Sequence, residues 1–427
     1  MTESAHEPAP LRHNHQFTLL WVGGAASALG SELTRVAMPL LLLASTGNAV
    51  LAGTVTSLLS LSLVVTQIPA GVWVDRWDRR KTLHIIQFIQ FLNSAILSVT
   101  LLVAGVHFVS FAVFAVVDGA CQAFLNPARD VAIRGVVPLN QLAKAYSQEE
   151  ARQHGARLLG PALGGALYAA YALLPFLCDT ISFLVAWCCT LGAKVPRRPD
   201  GAQDSDQETG PQNPRPGMLT EARNALEWLV HRQGLRELIV VIMAMNLLGG
   251  AFYIPMIDHI QSLGGSSTIT GVVLSGIGIG GLIGALASEH VTRRIAPGWL
   301  AIAVPAIFGI CLMVAVIPIS PWWPAFPLIL FSLTTPALNV AAQAITAQMV
   351  PHEMLGRIGA LLTVAARGLA PLGPLVGGIL TARIGGGDTL FWVGVGLVAV
   401  ACIGATSGSL RNFRGVGEER IPRDPLD

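Results

Sequence analysis

Residues 126–165 read NPARDVAIRGVVPLNQLAKAYSQEEARQHGARLLGPALGG, and the landmarks of this stretch return later in the chain. Asn126, Val137-Pro138 and Gly160-Pro161-x-x-Gly164-Gly165 are matched by Asn339, Val350-Pro351 and Gly373-Pro374-x-x-Gly377-Gly378, each 213 residues further on. Gly71 and Gly284 keep the same offset, as do Arg80 and Arg293. One gapless register over so many landmarks describes two copies of one unit in the same order, a parallel repeat.

Composition says what fills the two copies. Of 427 residues, 52% are hydrophobic and only 12% are charged, about half the roughly 25% charge of an ordinary soluble protein. Mean hydropathy is +0.60. So few charges cannot cover a water-exposed surface of this size, and a polytopic membrane protein is expected. A bilayer core needs about 20 mostly apolar residues per helix. Twelve such stretches occur, at 17–45, 50–74, 82–104, 108–127, 146–169, 172–193, 236–258, 268–288, 299–318, 325–349, 357–382 and 389–410. Runs this long and apolar span as helices, because lipid leaves no partner for an open backbone. The polar start and the length of the first run are not those expected of a cleavable signal.

Orientation follows from Lys and Arg in the short links. Those after spans 2, 4, 8 and 10 hold Arg76, Arg79, Arg80, Lys81, Arg134, Lys144, Arg293, Arg294 and Arg357; the opposite links show only Arg383. Both termini are therefore expected in the cytoplasm. Residues 194–217 are rich in Pro, Gly, Asp and Gln and read as a flexible linker. Behind them, Leu219, Ala222, Leu226, Leu229 and Val230 recur at helical spacing, as in an interfacial amphipathic helix. The expected organisation is an all-α membrane protein: a cytoplasmic tail at 1–16, a six-helix bundle at 17–193, a cytoplasmic linker with its helix at 194–235, a second six-helix bundle at 236–410 and a tail at 411–427. Parallel six-helix halves are the arrangement of rocking transporters, whose substrate site lies near the membrane midplane between the halves.

After the second span comes Gly71-Val-Trp-Val-Asp75-Arg76-Trp-Asp-Arg79-Arg80-Lys81. It resembles the signature loop of the major facilitator superfamily, Gly-x-x-x-Asp-Arg-x-x-Arg-Arg. The resemblance implies a gating loop, with Gly71 allowing close helix approach and Asp75 capping or pairing across the halves; the plainer reading is a positive-inside topology signal. The second-half copy has Ser288 where Asp75 stands. In the fifth span, Gly155, Gly160, Pro161, Gly164 and Gly165 resemble the antiporter motif of the superfamily's exporters, which implies export; alternatively they form a generic small-residue packing seam. Asn126-Pro127-Ala128-Arg129 and Asp179-Thr-Ile-Ser182-Phe183 are similar to the macrolide-efflux and enterobactin-exporter branch of drug:proton antiporters. The Arg that other drug branches carry in the fourth span is replaced here by Val116-Val117-Asp118-Gly119, so a coupling scheme built on it does not transfer.

Ionisable groups inside spans are costly and mark candidate sites. Glu32 and Arg35, three residues apart, share a face and form either a structural pair or part of the transport site. Asp118 has no partner within a turn of its own helix and is a proton-coupling candidate, or else the mate of a base on another helix. Asp179 carries either a proton or a structural hydrogen bond. Glu150, His154 and Arg157 fall on one stripe with Pro161, and Arg157 suits an anionic substrate group or a neighbouring carboxylate; Glu149 and Glu150 are read as a solvated helix start. The repeat register sets Arg367 against His154, a further substrate-cavity candidate. The second half otherwise offers an apolar wall, Met243, Met245, Phe252, Tyr253 and Phe331.

Several classes are set aside. Net charge is +2, which gives no bulk field for nucleic acid. The six cysteines sit in apolar runs without metal-ligand spacing, read as small buried hydrophobes, so no metal site is expected. Gly276-x-Gly278-x-x-Gly281 matches a dinucleotide fingerprint but lies inside a span with no preceding strand. His352-Glu353 lacks a second His, and no Walker loop, nucleophile elbow or paired catalytic carboxylates occur. The expectation is a monomeric inner-membrane (plasma-membrane) transporter, not an enzyme. It takes no cofactor, draws on the proton gradient, and deals with protons, a small-molecule substrate and the lipid bilayer. It exports a hydrophobic or amphipathic compound (drug, antibiotic or siderophore-like metabolite) by proton antiport. The alternatives are an uptake symporter or facilitator of the same fold, and an uncoupled lipid-moving or sensing membrane protein.

Overall fold

The structure is a computed structural model describing Leu11 and residues 14–76, 79–193, 233–349 and 368–411. The described residues are helical, with no strand among them. In order the helices are α1 His15–Thr46, α2 Ala49–Arg76, α3 Arg79–Val103, α4 Phe108–Val136, α5 Leu142–Ala170, α6 Leu174–Gly192, α7 Gln233–Gly250, α8 Tyr253–Ser262, α9 Ser267–Arg294, α10 Pro297–Ala315, α11 Ala325–Met349, α12 Leu372–Ile384, α13 Gly386–Thr406 and α14 Gly408–Arg411. Ten helical stretches among them are long and apolar enough to cross a membrane. The chain is a multi-span helical membrane protein. The linker with its amphipathic stretch to residue 232, Arg367 and the tails apart from Leu11, residues 14–16 and Arg411 lie outside the described residues, as do the side chains of Gly71, Asp75, Arg76 and Arg79.

The chain divides into two compact units, one from Met1–Glu208 with Ser266–Ser275, the other from Thr209–Gly265 with Gly276–Asp427. In the first, α1 packs on α5 and α6, α2 on α4, and α3 on both α4 and α6. Its outer surface is apolar: Val103 is 80% exposed, and Val65, Leu102 and Val109 stand out similarly. Its interior is polar instead, with Gln87, Gln90, Ser94, Ser98, Asp118, Asp179 and Thr190 buried. That inversion suits a body solvated by lipid, where interhelical hydrogen bonds and close packing replace the hydrophobic drive.

Two glycines show how closely the helices approach. A Cβ at Gly119 would overlap the Leu59 carbonyl, so α4 seats on α2 there. A Cβ at Gly160 would overlap that of Glu32, and one at Gly164 would lie 2.9 Å from the Leu33 carbonyl. The small-residue motif of α5 thus clasps α1 at its acidic residue. α1 starts at Asn14, whose Oδ1 accepts from Phe17 N–H (3.1 Å), and ends at Gly47 in the left-handed region (φ +62°).

Local departures from the sequence expectation have visible causes. The fourth span runs on to Val136 through Pro127, a residue that membrane helices accommodate. The seventh span breaks at Ala251-Phe252. The break lies beside Gly377, whose Cβ would overlap the Ala251 carbonyl. The cysteines are not uniformly buried: Cys121 and Cys311 are, but Cys188 and Cys402 are exposed on the outer surface. Small thiols are equally at home facing lipid.

In the second unit, α10 packs against α11 and α13, and α12 against α7 and α8. Asp258, midway along α8, accepts from Gly386 N–H (2.9 Å) at the start of α13, where a carboxylate suits the helix dipole. Glu237 accepts from Ser409 Oγ (2.8 Å) and from Ser407, tying α7 to the C-terminal turn.

Candidate functional site

A file of polar groups runs through the first unit, built from stripes on α1, α3, α4, α5 and α6. The α3 stripe is Gln87, Gln90, Ser94 and Ser98, at the three- and four-residue spacing that keeps side chains on one helix face. Gln87 accepts from Thr190 Oγ1 (2.7 Å), while Ser94 Oγ donates to Asp179 Oδ2 (3.0 Å) and Ser94 and Ser98 both meet Thr180 (3.1 Å). This ladder joins α3 to α6. An apolar span interrupted by polar residues at that spacing was the available signal, and charge-based reading passes over it.

Asp118 accepts from Gln90 Nε2 (3.2 Å) and from Gln122 Nε2 (2.7 Å). The expectation that it lacks a partner on its own helix is therefore corrected: Gln122, one turn on, is that partner, an amide and not a charge. Asp179 is 1% exposed, and its Oδ1 has no hydrogen-bond partner. The Thr34 hydroxyl lies beside it without bonding geometry. Room for Asp179 against α1 comes from Gly30, where a Cβ would be 2.7 Å from Oδ1. Asp118, Asp179, Arg35, Thr34 and Gln122 share the lining of a cavity of about 10 Å³, on the order of one water. Glu32 and Arg35 pair as their spacing predicts, at 2.8 Å, with the Arg35 side chain 46% exposed.

A larger cleft of about 140 Å³ adjoins this cavity through Ser31, Arg35 and Gln122, which line both. Its wall includes Glu32, Gln90, Asn126, Arg129, Arg152 and Arg157. Behind the wall Glu149 is buried between two arginines. It takes a bidentate contact from Arg152, Nε at 2.9 Å to Oε2 and Nη2 on Oε1, and lies 3.8 Å from Arg129 Nη1. Arg152 Nη1 also donates to the Gly24 carbonyl (2.6 Å), and the Arg129 guanidinium lies over Gly24, where a Cβ would come within 2.9 Å of Cζ. The reading of Glu149 as a solvated helix start is thus wrong. The glutamate sits where α5 faces α1 and α4, and both arginines reach it from inside.

The expected stripe of α5 also divides. Arg157 lines the cleft; Glu150 and His154 do not, pairing with each other at 3.1 Å with Glu150 67% exposed. Pro161 is buried. Gly155 has open space around it, so it contributes nothing to the close contact that Gly160 and Gly164 make. From the loop motif, Arg80 Nη2 donates to the Leu191 carbonyl (3.3 Å) and thereby serves the C-terminal end of α6, a favourable place for a cation.

The second unit brings together an aromatic nest. Phe308 and Phe331 stack with centroids 4.0 Å apart, and Phe252 meets both edge-on at 5.6 and 6.2 Å. Tyr253 adjoins Phe252 at 6.0 Å. Of the apolar wall expected from the sequence, Phe252, Tyr253 and Phe331 come together, joined by Phe308, which spacing alone does not single out. No cluster of His, Cys, Asp and Glu among the described residues could hold a metal ion.

Comparison with known proteins agrees with this architecture. The sequence model of the Major Facilitator Superfamily matches residues 20–370, and again 239–415. The multidrug efflux pump Tap of Mycolicibacterium fortuitum is 28% identical over 395 residues, 86% of this chain and 89% of Tap. Macrolide efflux protein A of Streptococcus pyogenes is 21% identical over 401 residues, 91% of this chain and 95% of that protein. Among solved structures, a bacterial homologue of the lysosomal transporter Spinster covers 95% of this chain and 98% of its own at TM-score 0.71 and 15% identity. The nucleoside transporter NupG covers 92% and 99% at TM-score 0.73 and 10% identity. These two show likeness of fold alone.

Proposed function

Given that the chain belongs to the Major Facilitator Superfamily, and is thus a membrane transporter and not an enzyme, we propose that it exports a hydrophobic or amphipathic small molecule by proton antiport. It would act as a twelve-span monomer of the inner membrane, with both termini cytoplasmic. The likeness to multidrug and macrolide efflux proteins supports the direction and the breadth of substrate. The aromatic nest supports an apolar cargo, since ligand sites are mostly apolar with a few placed polar groups.

The single observation that carries proton coupling is the small cavity lined by Asp118, Asp179 and Arg35. Two carboxyl groups beside space for a water can pass a proton, while the guanidinium of Arg35, which stays charged, biases which of them is ionised. Their charge state then alters the attraction each has for Arg35. Substrate and proton would use the binding energy of one conformational cycle, the outer state favouring a protonated carboxyl and the inner state releasing it. Siderophore-like metabolites remain in the proposed substrate range beside drugs and antibiotics.

The test is proton movement in inverted, energised vesicles, followed with a pH-sensitive dye across antibiotics, dyes and siderophores. Wild-type protein is expected to show substrate-triggered collapse of the gradient. Asp118→Asn and Asp179→Asn, inserted at equal level, are expected to lose it. Collapse retained in both variants would remove the proton from this cavity, and no collapse with any compound would overturn antiport itself.

A further inference from the structure

The charges around the 140 Å³ cleft do not balance. At its α5 end three arginines, Arg129, Arg152 and Arg157, meet one carboxylate, Glu149. The other charged groups nearby are already paired. Glu32 takes Arg35 and Glu150 takes His154 on the outside, while Asp130, exposed on α4, acts on both Arg134 and Arg129 from outside the lining of the cleft. Asp118 is held by two amides and looks toward Arg35. Among the residues that line the cleft, arginines therefore outnumber carboxylates, and two of these arginines, Arg129 and Arg152, are buried. Arg157 makes no ion pair or hydrogen bond with any described residue. A cleft lined by one sign of charge between low-dielectric walls concentrates the opposite charge, and guanidinium forks match oxyanions better than any other ligand class.

We propose that this cleft seats an oxyanion, the carboxylate, sulfonate or phosphate end of an amphipathic solute, with Arg157 as the open donor and Arg129 and Arg152 as the fixed field behind it. The proposal deepens the export reading and rests on it: the cargo class becomes amphipathic organic anions. The size agrees, because about 150 Å³ is enough to hold a benzene ring. The cleft takes an acidic headgroup and not a whole drug molecule. Asn126, Gln153 and Ser27 on the wall supply further neutral hydrogen-bonding groups. Gln90 Oε1, buried and without a partner, can accept from a hydroxyl next to the anion.

The test uses the purified full chain in nanodiscs, with dansylglycine as probe and its methyl ester as the neutral twin, read by energy transfer from tryptophan. Wild-type protein is expected to bind the acid about tenfold more tightly than the ester, as one charge-assisted contact implies. That preference should fall with added salt. Arg157→Gln is expected to bring the two near parity, and Arg157→Lys to keep most of the difference. The exposed position of Arg157 makes misfolding no explanation of either variant. Equal binding of acid and ester by wild type would overturn the proposal, as would an undiminished preference in Arg157→Gln. Discs of phosphatidylcholine alone are compared with discs containing phosphatidylglycerol. If the anionic lipid abolishes probe binding, the cleft holds a headgroup and the assignment to a transported solute falls. The assay needs no proton gradient, so a preference for the acid survives a failure of antiport in vesicles, and the two readings fail separately.

Discussion

Glu149→Gln removes the carboxylate that pairs with both Arg129 and Arg152 and leaves their two charges buried together. The geometry fixes the scale. At 3.8 Å and an effective dielectric of about 20, the Arg129–Glu149 attraction alone amounts to about 4 kcal/mol. The bidentate contact with Arg152 is closer still. Glutamine keeps the size and one acceptor oxygen, so cavity formation adds nothing. Breaking a buried pair from one side typically costs about 3–5 kcal/mol, because the partner charge stays desolvated and uncompensated. For a unit of this size each kcal/mol shifts Tm by about 2–4 °C. The expected fall is then roughly 6–20 °C, measured by tryptophan fluorescence in detergent, with adjacent Glu150→Gln as control. Glu150 is exposed, and its variant should remain within about 0.5 kcal/mol of wild type. A Glu149→Gln protein that melts with the control would refute the reasoning. It would mean that water or anions already compensate the two arginines.

Two further outcomes follow from packing. Gly160→Val puts a branched side chain into the Cβ of Glu32, and should cost about 1–3 kcal/mol in the detergent melt by overpacking while displacing the Glu32–Arg35 pair; Gly155→Ala, with open space around it, should melt as wild type. Phe308→Ala removes a buried ring that stacks on Phe331 and meets Phe252 edge-on. It should cost about 3–5 kcal/mol, and in the vesicle assay narrow the response to aromatic compounds more than Phe308→Leu does.

What the sequence makes legible here depends on how local the cause is. Span positions and the Glu32–Arg35 pair follow from spacing along one helix; ten helical stretches among the described residues are long and apolar enough to cross a membrane, and the structure keeps the pair at 2.8 Å. The close approach of α5 to α1 was also readable as a small-residue seam, though not its target, because nothing in Gly160-Pro161-x-x-Gly164 names Glu32. The Arg129–Glu149–Arg152 cluster was not legible. It requires α4, α5 and the bare backbone of Gly24 on α1 to converge, and residue 149 taken alone looks like any acid in a first helical turn. The stripe of Gln87, Gln90, Ser94 and Ser98 is the reverse case. Its period was present in the sequence, but neutral side chains attract no notice where charges are being sought. Phe308 is unremarkable in the same way, an aromatic in an apolar span until the rings of Phe252 and Phe331 are found against it.

The repeat also says how the chemistry is divided. Carrying the offset of 213 from the first unit's polar file into the second, Gln90 falls on Ala303, Asp118 on Phe331, Gln122 on Thr335, Arg129 on Ala342, Glu149 on Leu362 and Arg152 on Ala365. Every charge is lost, and the position of the buried carboxyl becomes the ring that stacks on Phe308. Asp118 lies on α4 and Phe331 on α11, the fourth helices of their halves in the expected order of spans. One fold has thus kept its glycine contacts in both copies, Gly160 on α1 and Gly373 and Gly377 on α7 and the segment after it, while the side chains facing inward diverged. Close glycine contacts serve helix packing, which both units need. Buried charges are expensive in lipid and persist where they do something. On the antiport proposed above, one proton route suffices, so a second copy of Asp118 would add cost without a second use, and the aromatic at that position packs the second unit instead.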